Sequence, residues 1–252
     1  SVSQERIRDE LVKMFTRPNA GRGLALLSES GLLAEILPEI EAMKNVEQPP
    51  EFHPEGDVFI HTQMLLDQLK DPSAALAFGA LFHDVGKPPT YSVEEGRIRF
   101  YNHAHIGAEM TKEILTRLRF SNKEIERIVS CVEHHMKFAN VKEMRLGKLK
   151  QFAARDNFPT ELELHRIDCL ASHRKLDLYR FLERKLNEFK QEELKPARLL
   201  TGDDLIGLGI RPGPIMKEIL AEAYALQLEG KLKSKEDAVR WVKKEHANKE
   251  TG

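Results

Sequence analysis

From Pro72 to Asp84 the chain reads Pro-Ser-Ala-Ala-Leu-Ala-Phe-Gly-Ala-Leu-Phe-His-Asp, apolar on nearly every side until it ends in an adjacent histidine and aspartate. A helix that is apolar all round has no face to turn to water, so other helices must enclose it. This stretch therefore constrains the chain to a multi-helix domain built around one packed central helix. Gly86 and the pair Pro88-Pro89 end that helix and leave His83 and Asp84 at its terminus, where an imidazole nitrogen and a carboxylate can address one metal ion.

The surrounding periodicity supplies the enclosing helices. Ile7, Leu11 and Met14 follow a Ser3 cap at helical spacing, and short apolar helices follow at Leu24–Leu27 and Leu32–Leu37. Pro38, Pro49, Pro50 and Pro54 predict a loop over 38–56. A helix from Asp57 carries His61, Met64, Leu65 and Leu69, and the stretch from Thr90 to Tyr101 alternates apolar and polar residues about Glu95-Gly96, which predicts a short β-hairpin. His103 opens the next helix; Ser121 and Glu124 form a capping box before a stripe of Ile125, Ile128, Val129 and Val132 that His135 continues. Thr160 and Glu163 make a second capping box, opening a helix in which Leu164, Ile167, Asp168 and Ala171 share a face. A Gly/Pro loop over 205–214, a helix over 215–228 and a last helix capped by Ser234 complete an all-α reading.

The 252 residues carry 39 basic and 40 acidic side chains, so charge balance alone selects no polyanionic partner. Cys131 and Cys169 lie inside apolar helical stretches and read as free thiols of a reducing compartment. The chain has no run of eighteen apolar residues and its first residues have no signal-peptide pattern, which predicts a cytoplasmic protein with no membrane partner.

Ionisable groups on apolar faces are costly unless something satisfies them. His61, His83 with Asp84, His103, His134 with His135, and Asp168 are such groups on five separate segments, and helices of a bundle can aim them at one centre. The donors are nitrogen and carboxylate without thiolate, which predicts Mn, Fe, Ni, Co or Zn, or Mg, as one or more divalent ions. An ion there would lower the pKa of water toward about 7 and polarise a phosphoryl oxygen. Asp84 is the natural bridging ligand or water-orienting base, and Lys87 is placed to neutralise a phosphate oxygen.

This pattern resembles the HD superfamily of metal-dependent phosphohydrolases. The resemblance implies an HD-domain helical bundle with His61, His83, Asp84 and Asp168 as the core metal ligands, His103, His134 and His135 as ligands of a further ion, and Asp57 as an extra carboxylate. Gly56-Asp57-Val58-Phe59-Ile60-His61-Thr62, Leu81-Phe82-His83-Asp84-Val85-Gly86-Lys87-Pro88 and Leu199-Leu200-Thr201-Gly202-Asp203-Asp204-Leu205 look more specifically like the C-terminal part of bacterial tRNA nucleotidyltransferases of the poly(A) polymerase family. It implies N-terminal helices over 1–56, an HD domain over 57–195 and a small helical tail over 196–252 similar to a tRNA-binding region. The 252 residues hold no Gly-Gly-x-x-Arg-Asp loop and no Asp-x-Asp pair, so they lack the signature of the nucleotidyl-transfer head. No Gly-Tyr-Pro follows His134-His135, which argues against cyclic-di-GMP as substrate.

Between 137 and 155 stand Lys137, Lys142, Arg145, Lys148, Lys150 and Arg155 against the single acid Glu143. The first five are the candidate contacts to an RNA or nucleotide phosphate. The resemblance implies hydrolysis of 2′,3′-cyclic phosphates or 2′-phosphates of a nucleotide or tRNA 3′ end. Its rival is a non-catalytic tRNA-binding HD body.

Overall fold

The computed structural model describes residues 2–49, 51, 53–54, 56–189 and 194–246; Pro50 of the expected loop lies outside them. In chain order the helices are α1 (Gln4–Phe15), α2 (Ala20–Glu29), α3 (Leu32–Ile36), α4 (Pro38–Glu41), α5 (Val58–Asp67), α6 (Ala74–Phe82), α7 (His103–Arg117), α8 (Asn122–His134), α9 (Leu146–Ala153), α10 (Phe158–Ala171), α11 (Asp177–Glu188), α12 (Gly202–Gly207), α13 (Pro214–Leu228) and α14 (Lys235–His246). The expected hairpin is present as β1 (Tyr91–Glu94) and β2 (Arg97–Phe100), antiparallel with Tyr91 opposite Phe100 and Val93 opposite Ile98. Its two-residue turn holds Glu95 at φ 49° and Gly96 at φ 73°, the left-handed pair that matches strand twist.

Contacts divide the chain into two compact units, 1–139 with 159–180, and 140–158 with 181–252. In the first, α6 is the enclosed helix that its composition demands: Ala77, Phe78, Ala80, Leu81 and Phe82 are fully buried. It packs on α1, α5 and α8, and α7 packs on α8. Glycine permits the close approaches. A Cβ on Gly79 would lie 2.8 Å from that of Cys131, and one on Gly21 only 2.4 Å from the Gln63 carbonyl oxygen. Leu11, Phe15, Leu24, Leu33 and Ile40 share one core with Leu65, Phe78, Ile128 and Ile167, so the helices before residue 57 pack into this unit.

Local signals set several ends. Ser3 accepts a bond from the Arg6 amide, and Ser121 with Glu124 forms the anticipated capping box. The central helix starts at Ala74, capped by Ser73, whose side chain accepts from the Leu76 amide. Helix α10 begins at Phe158, so Thr160 sits in its first turn and not at a cap.

In the second unit α9 lies against α13, where a Cβ on Gly147 would be 2.2 Å from the Ala225 carbonyl oxygen. Leu200, Leu205, Ile219, Ala223, Leu232, Ala238 and Val242 form its core. The loop expected from residue 205 is partly helical, because Thr201 and Asp204 make a capping box that starts α12. No helix among the described residues is long and apolar enough to cross a membrane.

Candidate metal centre

The histidines are aimed by helix ends. A helix leaves its last carbonyls without amide partners, and a histidine just past the end can donate to one of them. His83 follows α6, and its Nδ1–H donates to the Ala80 carbonyl at 2.8 Å; His135 follows α8 and donates from Nδ1 to the Val132 carbonyl at 2.6 Å. His103, the first residue of α7, donates from Nδ1 to the Phe100 carbonyl at the end of β2, at 2.9 Å. In a neutral ring such a bond fixes the tautomer and leaves Nε2 with a bare lone pair.

Those Nε2 atoms converge with carboxylates in two groups, His61 with His83 and Asp168, and Asp84 with His103 and His135; within each group the candidate ligand atoms lie within 4.8 Å of one another. His61 Nε2 is 3.0 Å from Asp168 Oδ1. Asp84 stands between the groups: Oδ2 is 3.1 Å from His83 Nε2, and Oδ1 is 3.7 Å from His103 Nε2 and 3.8 Å from His135 Nε2. The His103 and His135 Nε2 atoms are themselves 3.1 Å apart. Burial holds the His135 pKa down at about 3 and that of His103 below the usual imidazole range, so near neutrality two lone pairs face each other beside a carboxylate. Buried His83 Nε2 has no hydrogen-bond partner. A cation in each group would satisfy these atoms, and the donor set fits a divalent one.

Burial pushes the Asp84 carboxyl up, but His83, Lys87 and His103 outweigh it and hold it well below the ordinary range. Asp168 is likewise raised by burial and lowered further by its hydrogen bond and charge interaction with His61, ending low. Both are anionic at neutral pH.

Several candidates sit elsewhere. His134 turns away from its neighbour, with Nδ1 3.1 Å from Glu161 Oε1 and 3.2 Å from Ser130 Oγ. Those contacts hold the His134 ring apart from that of His135, whose Nε2 faces Asp84. Asp57 caps α5, its Oδ1 accepting from the Ile60 amide at 2.9 Å. Lys87 stays at the centre, buried, and its Nζ donates to Asp84 Oδ2 at 2.7 Å and to Gln48 Oε1. Of the basic run, Lys150 is buried and donates to the Leu228 carbonyl, and Arg145 pairs with Glu222. Lys142 and Lys148 are exposed in the second unit, whereas Lys137 belongs to the first.

Other residues reach the centre without an obvious sequence signal. His53 packs edge-on against His61 at 4.7 Å between ring centroids, and Gln48 arrives from the same proline-rich loop, which a Glu47–Asp57 bridge folds back. A cavity of about 520 Å³ opens on Lys87, His103, His135 and Asp168 and is lined further by Arg99, His165 and His173. His165 follows the helical spacing to Asp168, the one clue available in the chain; it stacks on Phe138 at 4.8 Å.

Comparison with known proteins agrees with this geometry. Residues 57–172 match the HD domain family, and residues 1–44 match the family described as the probable RNA and SrmB-binding site of polymerase A. The chain is 34% identical over 239 residues to an A-adding tRNA nucleotidyltransferase of Deinococcus radiodurans, covering 88% of this chain and 54% of that protein. It is 33% identical over 245 residues to a CC-adding tRNA nucleotidyltransferase of Thermus thermophilus (94% and 55%), and 30% identical over 224 residues to a multifunctional CCA protein of Halorhodospira halophila (87% and 53%). It thus spans about half the length of the curated relatives it matches. Residues 57–172 are therefore an HD domain, and the chain as a whole is similar to about half of a tRNA nucleotidyltransferase.

Proposed function

We propose that this chain is a metal-dependent phosphohydrolase acting on phosphate esters of a nucleotide or an RNA 3′ end, of the 2′,3′-cyclic phosphodiesterase or phosphatase type, in cytoplasmic tRNA processing. The observation that carries it is the opposed pair of His103 and His135 lone pairs 3.1 Å apart beside Asp84. His61, His83 and Asp168 would hold one ion and Asp84, His103 and His135 another, with Asp84 between them; Mn, Fe, Ni, Co, Zn and Mg are the candidates. An ion held there supplies Lewis acidity toward a phosphoryl oxygen and acidifies water.

The chain's own groups do the rest. Asp84, anionic and held by Lys87, is a fixed acceptor that would orient the attacking water or take its proton. Lys87 acts first on Asp84 and secondarily on phosphate, because its Nζ is already bonded. Asp168, whose side chain is 27% exposed, is open toward the cavity through which substrate enters.

A tRNA partner draws on the relatives' names, on the RNA-binding description matched by residues 1–44, and on a cleft in the second unit. Arg155, Lys195, Arg198 and Lys217 line that cleft with Tyr224; Arg198 stacks over the Tyr224 ring at 5.1 Å, and Arg198 and Lys217 make no ion pair among the described residues. The same features favour the rival, a non-catalytic tRNA-binding body. Purified protein is assayed for bound transition metal and for hydrolysis of 2′,3′-cyclic AMP, with His83→Ala and Asp84→Ala alongside. Bound metal and turnover lost in both variants support the enzyme; a wild type that holds no metal and matches the variants, while still binding tRNA, leaves the rival.

A further inference from the structure

The cavity beside the centre is far more apolar than a phosphate needs. Ile98, Phe100, Tyr101, Met136 and Leu178 line it, and Tyr101 and Met136 leave 61% and 49% of their surface in water. Large apolar side chains gathered and exposed at the mouth of a cleft mark a ligand surface. The cationic side is equally defined. Arg99 makes no ion pair among the described residues, and His173, whose Nδ1 accepts from the Lys175 amide at 3.0 Å, carries its proton on Nε2 and is a donor.

Three of the apolar residues come from β2 and the turn that follows it. That segment also supplies the Phe100 carbonyl that orients His103, and the Phe100 ring lies 5.4 Å from Lys87 Nζ. One short strand therefore links the apolar lining to the centre. A volume of about 520 Å³ accommodates a nucleotide and exceeds the needs of a bare sugar phosphate.

We infer that the hairpin is the specificity element of this cleft: Ile98, Tyr101 and Met136 take the nucleobase on apolar surface while Arg99 and His173 meet the ribose and phosphate, so that a base is required for tight binding. The inference rests on the proposed function in placing the phosphate at the centre. Stacking on aromatic and apolar side chains is indifferent to sequence, so any base is accepted and a baseless ester is not.

The test compares ligands that differ by the base alone, on the full chain. Adenosine 5′-monophosphate and ribose 5-phosphate are titrated against protein labelled at its methionine methyl groups, the Met136 resonance being assigned by Met136→Leu. The nucleotide is expected to bind about tenfold or more tightly and to move the Met136 methyl by ring current, while ribose 5-phosphate leaves that methyl in place. Tyr101→Ala, at an exposed position, is expected to reduce the preference to about threefold or less with an unchanged melting temperature. Equal affinities for the two ligands, or a Met136 methyl that ignores the nucleotide, overturn the inference. Hydrolysis separates the two readings. Turnover of methyl riboside 2′,3′-cyclic phosphate as fast as 2′,3′-cyclic AMP keeps the phosphohydrolase and removes the base slot; a shifted Met136 methyl in a chain that hydrolyses neither keeps the slot and removes the phosphohydrolase.

Discussion

Histidine carries most of the chemistry at the residue scale, and what separates one histidine from the next is the atom bonded to Nδ1. His83, His103 and His135 spend that nitrogen on a backbone carbonyl and offer Nε2, whereas His134 gives its Nδ1 to Glu161 and Ser130. His103→Ala is therefore expected to lose at least about tenfold in metal affinity, and His134→Ala to keep its metal content, as measured by emission spectrometry after dialysis. The pH dependence has a definite sign. His135 titrates at about 3 in the native chain and near 6.5 unfolded, so between these values the unfolded chain binds more protons and stability falls as pH drops from 6.5. Asp84 and Asp168, lowered by folding, add to the same acid loss below about pH 4. Urea midpoints of the chelator-treated protein are expected to decline steadily from pH 7 to pH 4; a flat profile contradicts the burial of neutral His135. Cys169 is pushed up to about 12 by burial and by Asp168, so it stays a thiol and should resist alkylation at pH 8 until the chain is denatured.

Elements position these groups through their ends and through glycine. A Cβ on Gly86 would stand 2.1 Å from the His103 carbonyl oxygen and 2.6 Å from the Gly107 amide nitrogen, so only glycine lets the turn after Asp84 pass the start of α7. Gly86→Ala must move backbone, at a cost of about 1–3 kcal/mol or more, and should weaken metal binding because it displaces His103 from Asp84. Asp57→Ala separates two roles cleanly. Loss of the cap bond to the Ile60 amide is expected to cost about 1 kcal/mol in denaturant unfolding, with metal content unchanged. A ligand role would have given the opposite result. The hairpin, whose second strand ends in the carbonyl that holds His103, joins cleft to centre with few residues.

At the scale of the whole molecule, an ion held by the His/Asp groups would add to the stability of the first unit. Binding to the native state alone adds about 2.7 kcal/mol at a hundred times Kd, so the melting temperature is expected to rise on adding Mn²⁺ and fall with chelator, and both responses should shrink in His83→Ala, which keeps the Asp84, His103 and His135 group. In the second unit, Arg198→Ala with Lys217→Ala should weaken tRNA binding and flatten its dependence on salt by roughly two phosphate contacts. An affinity that ignores both substitutions moves the RNA contact away from that cleft.

Much of this was legible in the chain. Apolar periodicity identifies the helices, alternation about Glu95-Gly96 identifies the hairpin, and the mismatch between apolar faces and His61, His83, Asp84, His103, His135 and Asp168 picks out the residues that gather at one centre. These are local or face-by-face properties that sequence spacing records directly. Tertiary structure alone decided how the six divide into two groups around Asp84, which of His134 and His135 turns inward, and that Lys87 and Lys150 are buried and bonded. It also brought His53 and Gln48 back from the loop before α5 and joined α1–α4 to the core of the HD helices. The physical reason is common to all of these. Which nitrogen points inward, and which charge meets a partner, depends on carbonyls and side chains supplied by segments distant in the chain, and spacing along one helix carries no record of them.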